Sequence, residues 1–204
     1  MGEHDALETW RTSRGALLDS LALARQTISM NRTAAVGAVE NIDRTLYPAL
    51  VAEFQGFCRD LHNEAVSALI EEAAWPTEQL AALTTAAIRK GRGLDHKNPT
   101  PSVIDEDFRS LGLPIWRRVQ QLHPEDYPDW RASLETLVRI RNAVAHSDQE
   151  RIDIFFTKQQ MTFAYWGNTR KRLTELAIAM NSVVRRYLVE ITIVTSRGED
   201  RDRQ

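Results

Sequence analysis

"IDRTLYPALVAEFQGFCRDLHNEAVSALIEE", residues 42–72, places Leu46, Leu50, Phe54, Phe57, Leu61, Ala65 and Leu69 three or four positions apart. That spacing puts them on one stripe of an α-helix, so a long amphipathic helix is expected from Ile42 to Glu72. An apolar stripe must be covered, and the flanking sequence supplies the covers. Toward the N-terminus, Leu7, Trp10, Leu17, Leu18, Leu21 and Ile28 give helical spacing between Glu3 and Ser29, and Asn31, Thr33 and Gly37 loosen it. On the other side, Pro76 suits the first turn of a third helix whose buried face would be Leu80, Leu83, Ala87 and Ile88. "GRGLDHKNPTPS", residues 91–102, reads as a loop and is the best candidate for mobility. A shorter helical stretch carries Phe108, Leu111, Ile115, Trp116 and Val119.

After a turn at 123–129, a helix is expected from Trp130 to His146. "IDIFFTKQQMTFAYW", residues 152–166, has local β character in Ile154, Phe155, Phe156, Phe163, Tyr165 and Trp166, so a loop with a short hairpin is expected there. The last helix, from Thr169 to Ile193, would bury Leu173, Leu176, Met180, Val183, Val184 and Leu188. Residues 196–204 read as a disordered tail. The expectation is an all-α, single-domain bundle of about five to six helices over residues 1–195.

Composition agrees with a globular chain. Of 204 residues, 43% are hydrophobic and 26% charged, and no apolar run reaches the ~18 residues of a membrane span. The first residues, Met1-Gly2-Glu3-His4-Asp5, lack the basic and apolar regions of a secretory signal. The single cysteine, Cys58, leaves no internal disulfide framework. A cytoplasmic location is therefore expected. The net charge is −2, but it is unevenly distributed: residues 1–130 carry −6 and residues 131–186 carry +5. Such a basic segment attracts phosphate or is simply a solvated face.

"LVRIRNAVAHSDQE", residues 137–150, lies in that basic segment. At about 100° per residue, Leu134, Leu137, Ile140, Val144 and Ala145 form one apolar arc, and Arg141 falls inside it. Three resolutions are open. The stem packs and the head reaches water, or Asp60 or Glu64 pairs with it, or a partner chain shares a cleft in which it meets an anion. His146 is either a helix cap or a proton-transfer group.

"RNAVAH", Arg141 to His146, has the form Arg-polar-x-x-x-His, with "LETLVRI" before it and "AHSD" at its end. This resembles the HEPN superfamily, whose signature is an Arg, four to six residues, then a His, often with a polar residue straight after the Arg. Many members are metal-independent endoribonucleases, toxins of toxin–antitoxin modules or RNases of phage defence, and others are inactive domains that bind a protein or a nucleotide. The resemblance implies that His146 is the general acid/base, that Arg141 binds the scissile phosphate, and that Asn142 orients the imidazole or the phosphate. RNA brings its own nucleophile, the 2′-OH, so neither metal nor cofactor is expected. Arg141 and His146 lie about 140° apart on an ideal wheel. Either the helix distorts at its end or two motifs meet across a twofold axis, and a homodimer through residues 134–146 is expected, with an antitoxin or regulatory protein as a further partner.

Weaker constellations surround the motif. Cys58 and His62 have a metal-compatible spacing but no second pair, so core packing is expected for Cys58. Asp60 and Glu64 are read as a solvated face or as partners of Arg141. Arg170, Lys171 and Arg172 open the expected last helix, where the dipole disfavours cations, and with Lys158 they are candidate RNA contacts. Tyr165 and Trp166 either stack on bases or belong to the core.

Overall fold

The computed structural model describes residues 5–30, 36–73 and 75–201, and the side chains of residue 36 and of residues 193–201 are outside that description. Within it the chain is all-helical. α1 (Ala6–Thr9) continues through a π-helical turn, Trp10–Arg14, into α2 (Gly15–Met30). α3 (Val36–Glu72), α4 (Glu78–Lys90), a 3₁₀ turn at Gly93–Asp95, α5 (Pro101–Arg109) and α6 (Ile115–Leu122) follow. α7 (Tyr127–Ala145), α8 (Gln149–Thr157) and α9 (Phe163–Arg201) complete the order. With α1 and α2 joined, eight rods replace the five to six expected.

The three longest periodic segments form the centre. α3 and α9 lie side by side, and α1–α2 and α7 run antiparallel to α9. The contacts set these directions: Trp10 Nε1 donates to Thr174 Oγ1 and Arg170 Nη1 meets Asp19, so forward steps in α1–α2 are backward steps in α9. Likewise Trp130 Nε1 donates to Glu175 and Arg172 Nη1 to Ser133 Oγ. The core they enclose contains Leu46, Leu50, Phe54, Phe57, Leu61 and Cys58 from α3, with Trp10 and Leu18 against them. Trp10, Phe54 and Phe57 meet with all three ring centroids 5.9 Å apart. The Cys58 thiol is free and buried, and that burial pushes its pKa up, so it behaves as a small apolar group.

Four expectations are corrected. No strand occurs among the described residues, and 152–166 holds α8 and the start of α9. Strand propensity was overridden by caps: Asp148 Oδ1 accepts from Arg151 N, Thr162 Oγ1 accepts from Tyr165 N, and Gln159 at φ 57° closes α8. The stretch around residues 108–119 is two helices, α5 and α6, separated by Gly112 at φ 77° and by Pro114. α4 starts at Glu78 behind the N-cap Thr77 and buries no residue; Leu80 is 42% and Leu83 68% exposed. Finally, 91–102 is pinned, as described below. The helix continues to Arg201 through part of the expected disordered tail, while residues 202–204 lie outside the described residues, as do Asn31 and Thr33. Among the described residues no helix is long and apolar enough to cross a membrane.

His62, on α3, sits in this core. Its Nε2 donates to the Asp107 carbonyl at 3.3 Å, its edge meets Phe108, and Nδ1 is buried without a partner among the described residues. Burial, reinforced by Arg92, lowers its pKa, against the smaller opposing pull of Asp107 and Asp95. Below the usual imidazole pKa of about 6.5 the unfolded chain therefore binds a proton that the folded chain refuses. Stability is lost as pH falls through that value toward the lower folded one. Glu64 has the opposite sign: burial raises its pKa, so its contribution weakens as pH rises. The urea midpoint is expected to fall between about pH 7 and pH 5.5, and to fall less in His62→Gln, which keeps Glu64 unchanged.

Candidate functional site

α7 is a helix because its apolar residues repeat at three and four: Trp130, Leu134, Leu137, Ile140 and Ala143 are all buried. The arc expected to meet a second chain is thus largely occupied by the chain's own core, against α3 and α9. The arc opens only at its C-terminal end, where Arg141 is half-buried, Val144 partly buried, and Ala145 and His146 exposed.

Arg141 Nη1 donates to Asn142 Oδ1 at 3.4 Å, a long contact that leaves most of its donors unused. No carboxylate among the described residues pairs with it. Asp60 and Glu64 are engaged elsewhere: Asp60 meets Arg14 at 2.7 Å, and Glu64 accepts from the Ala6 backbone N–H. The buried ion pair and the solvated acidic face are both corrected by these contacts. What remains is a guanidinium with a packed stem and an open head.

Asn142 is held more tightly. Asn98 Nδ2 donates to its Oδ1 at 2.7 Å, which fixes the orientation of the amide and leaves the Asn142 Nδ2 donors on the other side. Asn98 was missed in the sequence because it sits in the stretch expected to be mobile. That stretch is anchored three times. Asp107, 5% exposed, accepts from Gly93 N at 2.7 Å and Leu94 N at 2.9 Å. Gln55 Nε2 donates to the carbonyls of Leu94 and Lys97. Arg92 reaches Asn63 Oδ1 at 2.8 Å and Asp95 at 2.9 Å. The 91–100 segment is therefore a fixed wall beside α7.

His146 occupies the cap of α7. Its backbone N–H still donates to the Asn142 carbonyl at 3.0 Å, so the helix runs up to it, while its own dihedrals, φ −97° and ψ 5°, have left the helical region. The imidazole makes no hydrogen bond among the described residues. The next residue, Ser147, turns left-handed at φ 52°. Asp148 N donates to Ala143 O and Ser147 N to Val144 O, the paired bonds of a Schellman ending with Ser where glycine is usual. Because the helix does not unwind before His146, Arg141 and His146 of one chain keep their wide angular separation. Relieving the left-handed strain, Ser147→Gly should raise unfolding stability by about 1 kcal/mol in urea titration.

The other basic candidates do not gather here. Lys158 is exposed at the end of α8. Arg170 meets Asp19 at 2.6 Å, donates to the Gly15 carbonyl and lies 5.7 Å from the Trp166 ring. Arg172 contacts Ser133 and Asp129 near the start of α7, and Lys171 is exposed 3.9 Å from Glu175. α9 begins at Phe163, so these cations lie about two turns inside it, beyond the reach of its N-terminal dipole. Trp166 belongs to the core: it is 2% exposed, and its Nε1 donates to the Leu46 carbonyl. Among the described residues no group of three or more His, Cys, Asp or Glu could hold a metal ion. No family model, curated protein or solved structure matches the chain.

Proposed function

We propose that the chain is a metal-independent endoribonuclease of the HEPN type, a cytoplasmic toxin or phage-defence effector of a prokaryote. One observation carries this reading: a guanidinium without a carboxylate partner stands beside a fixed amide and little more than one helical turn before an open imidazole. An arginine left unpaired on a half-buried face needs an anion, and its forked donors fit two phosphate oxygens. The imidazole is exposed and makes no hydrogen bond among the described residues, so it is free to transfer a proton.

In the reaction, the ribose 2′-OH attacks the adjacent phosphorus as His146 takes its proton or delivers one to the departing 5′-oxygen. The P–O5′ bond breaks, leaving a 2′,3′-cyclic phosphate and a 5′-OH. Arg141 holds the phosphoryl oxygens as their charge grows, and the Asn142 Nδ2, oriented by Asn98, donates to phosphate or imidazole. Since one helix separates the two side chains, two copies meet through the open end of α7, and each site takes Arg141 from one copy and His146 from the other.

Purified protein incubated with total RNA in EDTA is expected to yield fragments ending in cyclic phosphate, and His146→Ala or Arg141→Ala to yield none. Intact RNA with a folded wild-type dimer overturns the nuclease reading in favour of an inactive domain of the same type that binds a partner protein or a nucleotide.

A further inference from the structure

A concave surface lies at the end of the bundle opposite the motif. α6 and the later part of α9 form the walls of a half-open cavity of about 410 Å³, within the size range that holds small ligands. Arg117, Arg118, Gln121, Leu122, Arg186 and Glu190 line it. Contacts along α9 step back from Glu190 and Tyr187, opposite α6, to Glu175 and Arg172, opposite the start of α7. At ~1.5 Å per residue the motif end of α7 is therefore roughly 30 Å from this cavity.

Arg118 is built into place. Its Nη1 donates to Glu190 Oε2 at 2.6 Å, and its guanidinium lies 5.3 Å from the Tyr187 ring centroid. Tyr187 Oη in turn donates to the Leu111 carbonyl, and Gly112, at φ 77°, leaves room for it: a Cβ there would stand 2.8 Å from that oxygen. This chain of contacts fixes one wall. Glu190, the one carboxylate among the described residues that line the cavity, is already engaged by Arg118. Arg117 and Arg186 are exposed and have no acidic partner among the described residues. Among the described residues the cavity thus holds three guanidinium groups against one carboxylate. Leu122 and the buried Val183 add an apolar surface, and Gln121 adds an amide.

We infer that this cavity binds a phosphorylated small molecule of nucleotide size. Arg117 and Arg186 grip its phosphate oxygens in forked pairs, and Leu122 and Val183 pack against its ring. The inference does not depend on the nuclease reading, because none of the motif residues lines the cavity.

The test is calorimetric titration of the intact chain with ADP and with inorganic pyrophosphate, using sodium sulfate at equal ionic strength as the control. Saturable binding of both probes is expected. Arg117→Gln and Arg186→Gln should each weaken it by at least about tenfold, with unchanged circular dichroism. Arg141→Ala should bind as wild type, so loss of nuclease activity and loss of this site are separable. Absence of saturation, binding equal to that of sulfate, or binding that survives the double Arg117/Arg186 variant overturns the inference. So does oligouridylate binding that requires Arg117 when ADP does not bind, since the cavity would then be a strand contact.

Discussion

Mixing Arg141→Ala protein with His146→Ala protein restores RNA cleavage to about a quarter of the wild-type rate, although each variant alone is inactive. The expectation follows from the end of α7, which stays helical through Ala145 and whose Asn142 carbonyl still receives the His146 N–H. If each site draws its guanidinium from one copy and its imidazole from the other, a mixed dimer holds one intact pair. Half of randomly reassorted dimers are mixed, and half of their sites are whole. The loss in each variant alone should be at least about 10²–10⁴-fold, enough to leave no detectable cleavage. Circular dichroism should be unchanged for His146→Ala, because that ring is exposed and unbonded among the described residues. Mixtures that remain silent while wild type cleaves would mean that both groups act within one chain, and a composite site would be abandoned.

The second large effect is structural. Asp107→Ala should destabilise the fold by about 2–4 kcal/mol in urea unfolding, because two backbone N–H groups lose a charged acceptor together. Gly93 N and Leu94 N would be left in a partly buried turn with nothing else placed to receive them. Cleavage should fall further than stability explains, since the same turn carries Asn98 to Asn142. A variant whose unfolding midpoint is unchanged would show that the carboxylate is dispensable and that the turn holds itself.

The long helices were legible because burial is periodic along a helix. α3, α7 and α9 carry enough apolar positions for the three- and four-residue step to dominate. α8 was not, because Ile154, Phe155 and Phe156 have strand preference, while its stability comes from the Asp148 cap and the turn at Gln159. Both are local geometries that composition does not reveal. α4 misled in the other direction: Leu80 and Leu83 keep helical spacing, yet the chain leaves them exposed.

The site divides in the same manner. Arg141, Asn142 and His146 share one short segment and are visible as a motif. Asn98 is 44 positions from Asn142, and Gln55 is 39 from the carbonyl of Leu94, distances over which periodicity carries no information. The three resolutions open for Arg141 could be separated only once Asp60 and Glu64 were found bonded to Arg14 and Ala6.

Asp148 serves two helices at once. Its N–H closes α7 on Ala143 and its carboxylate opens α8 at Arg151. A single residue inserted between His146 and Gln149 cannot preserve both bonds, so this junction tolerates no change in length. The start of α8 is therefore fastened to the last turn of α7, two residues beyond His146.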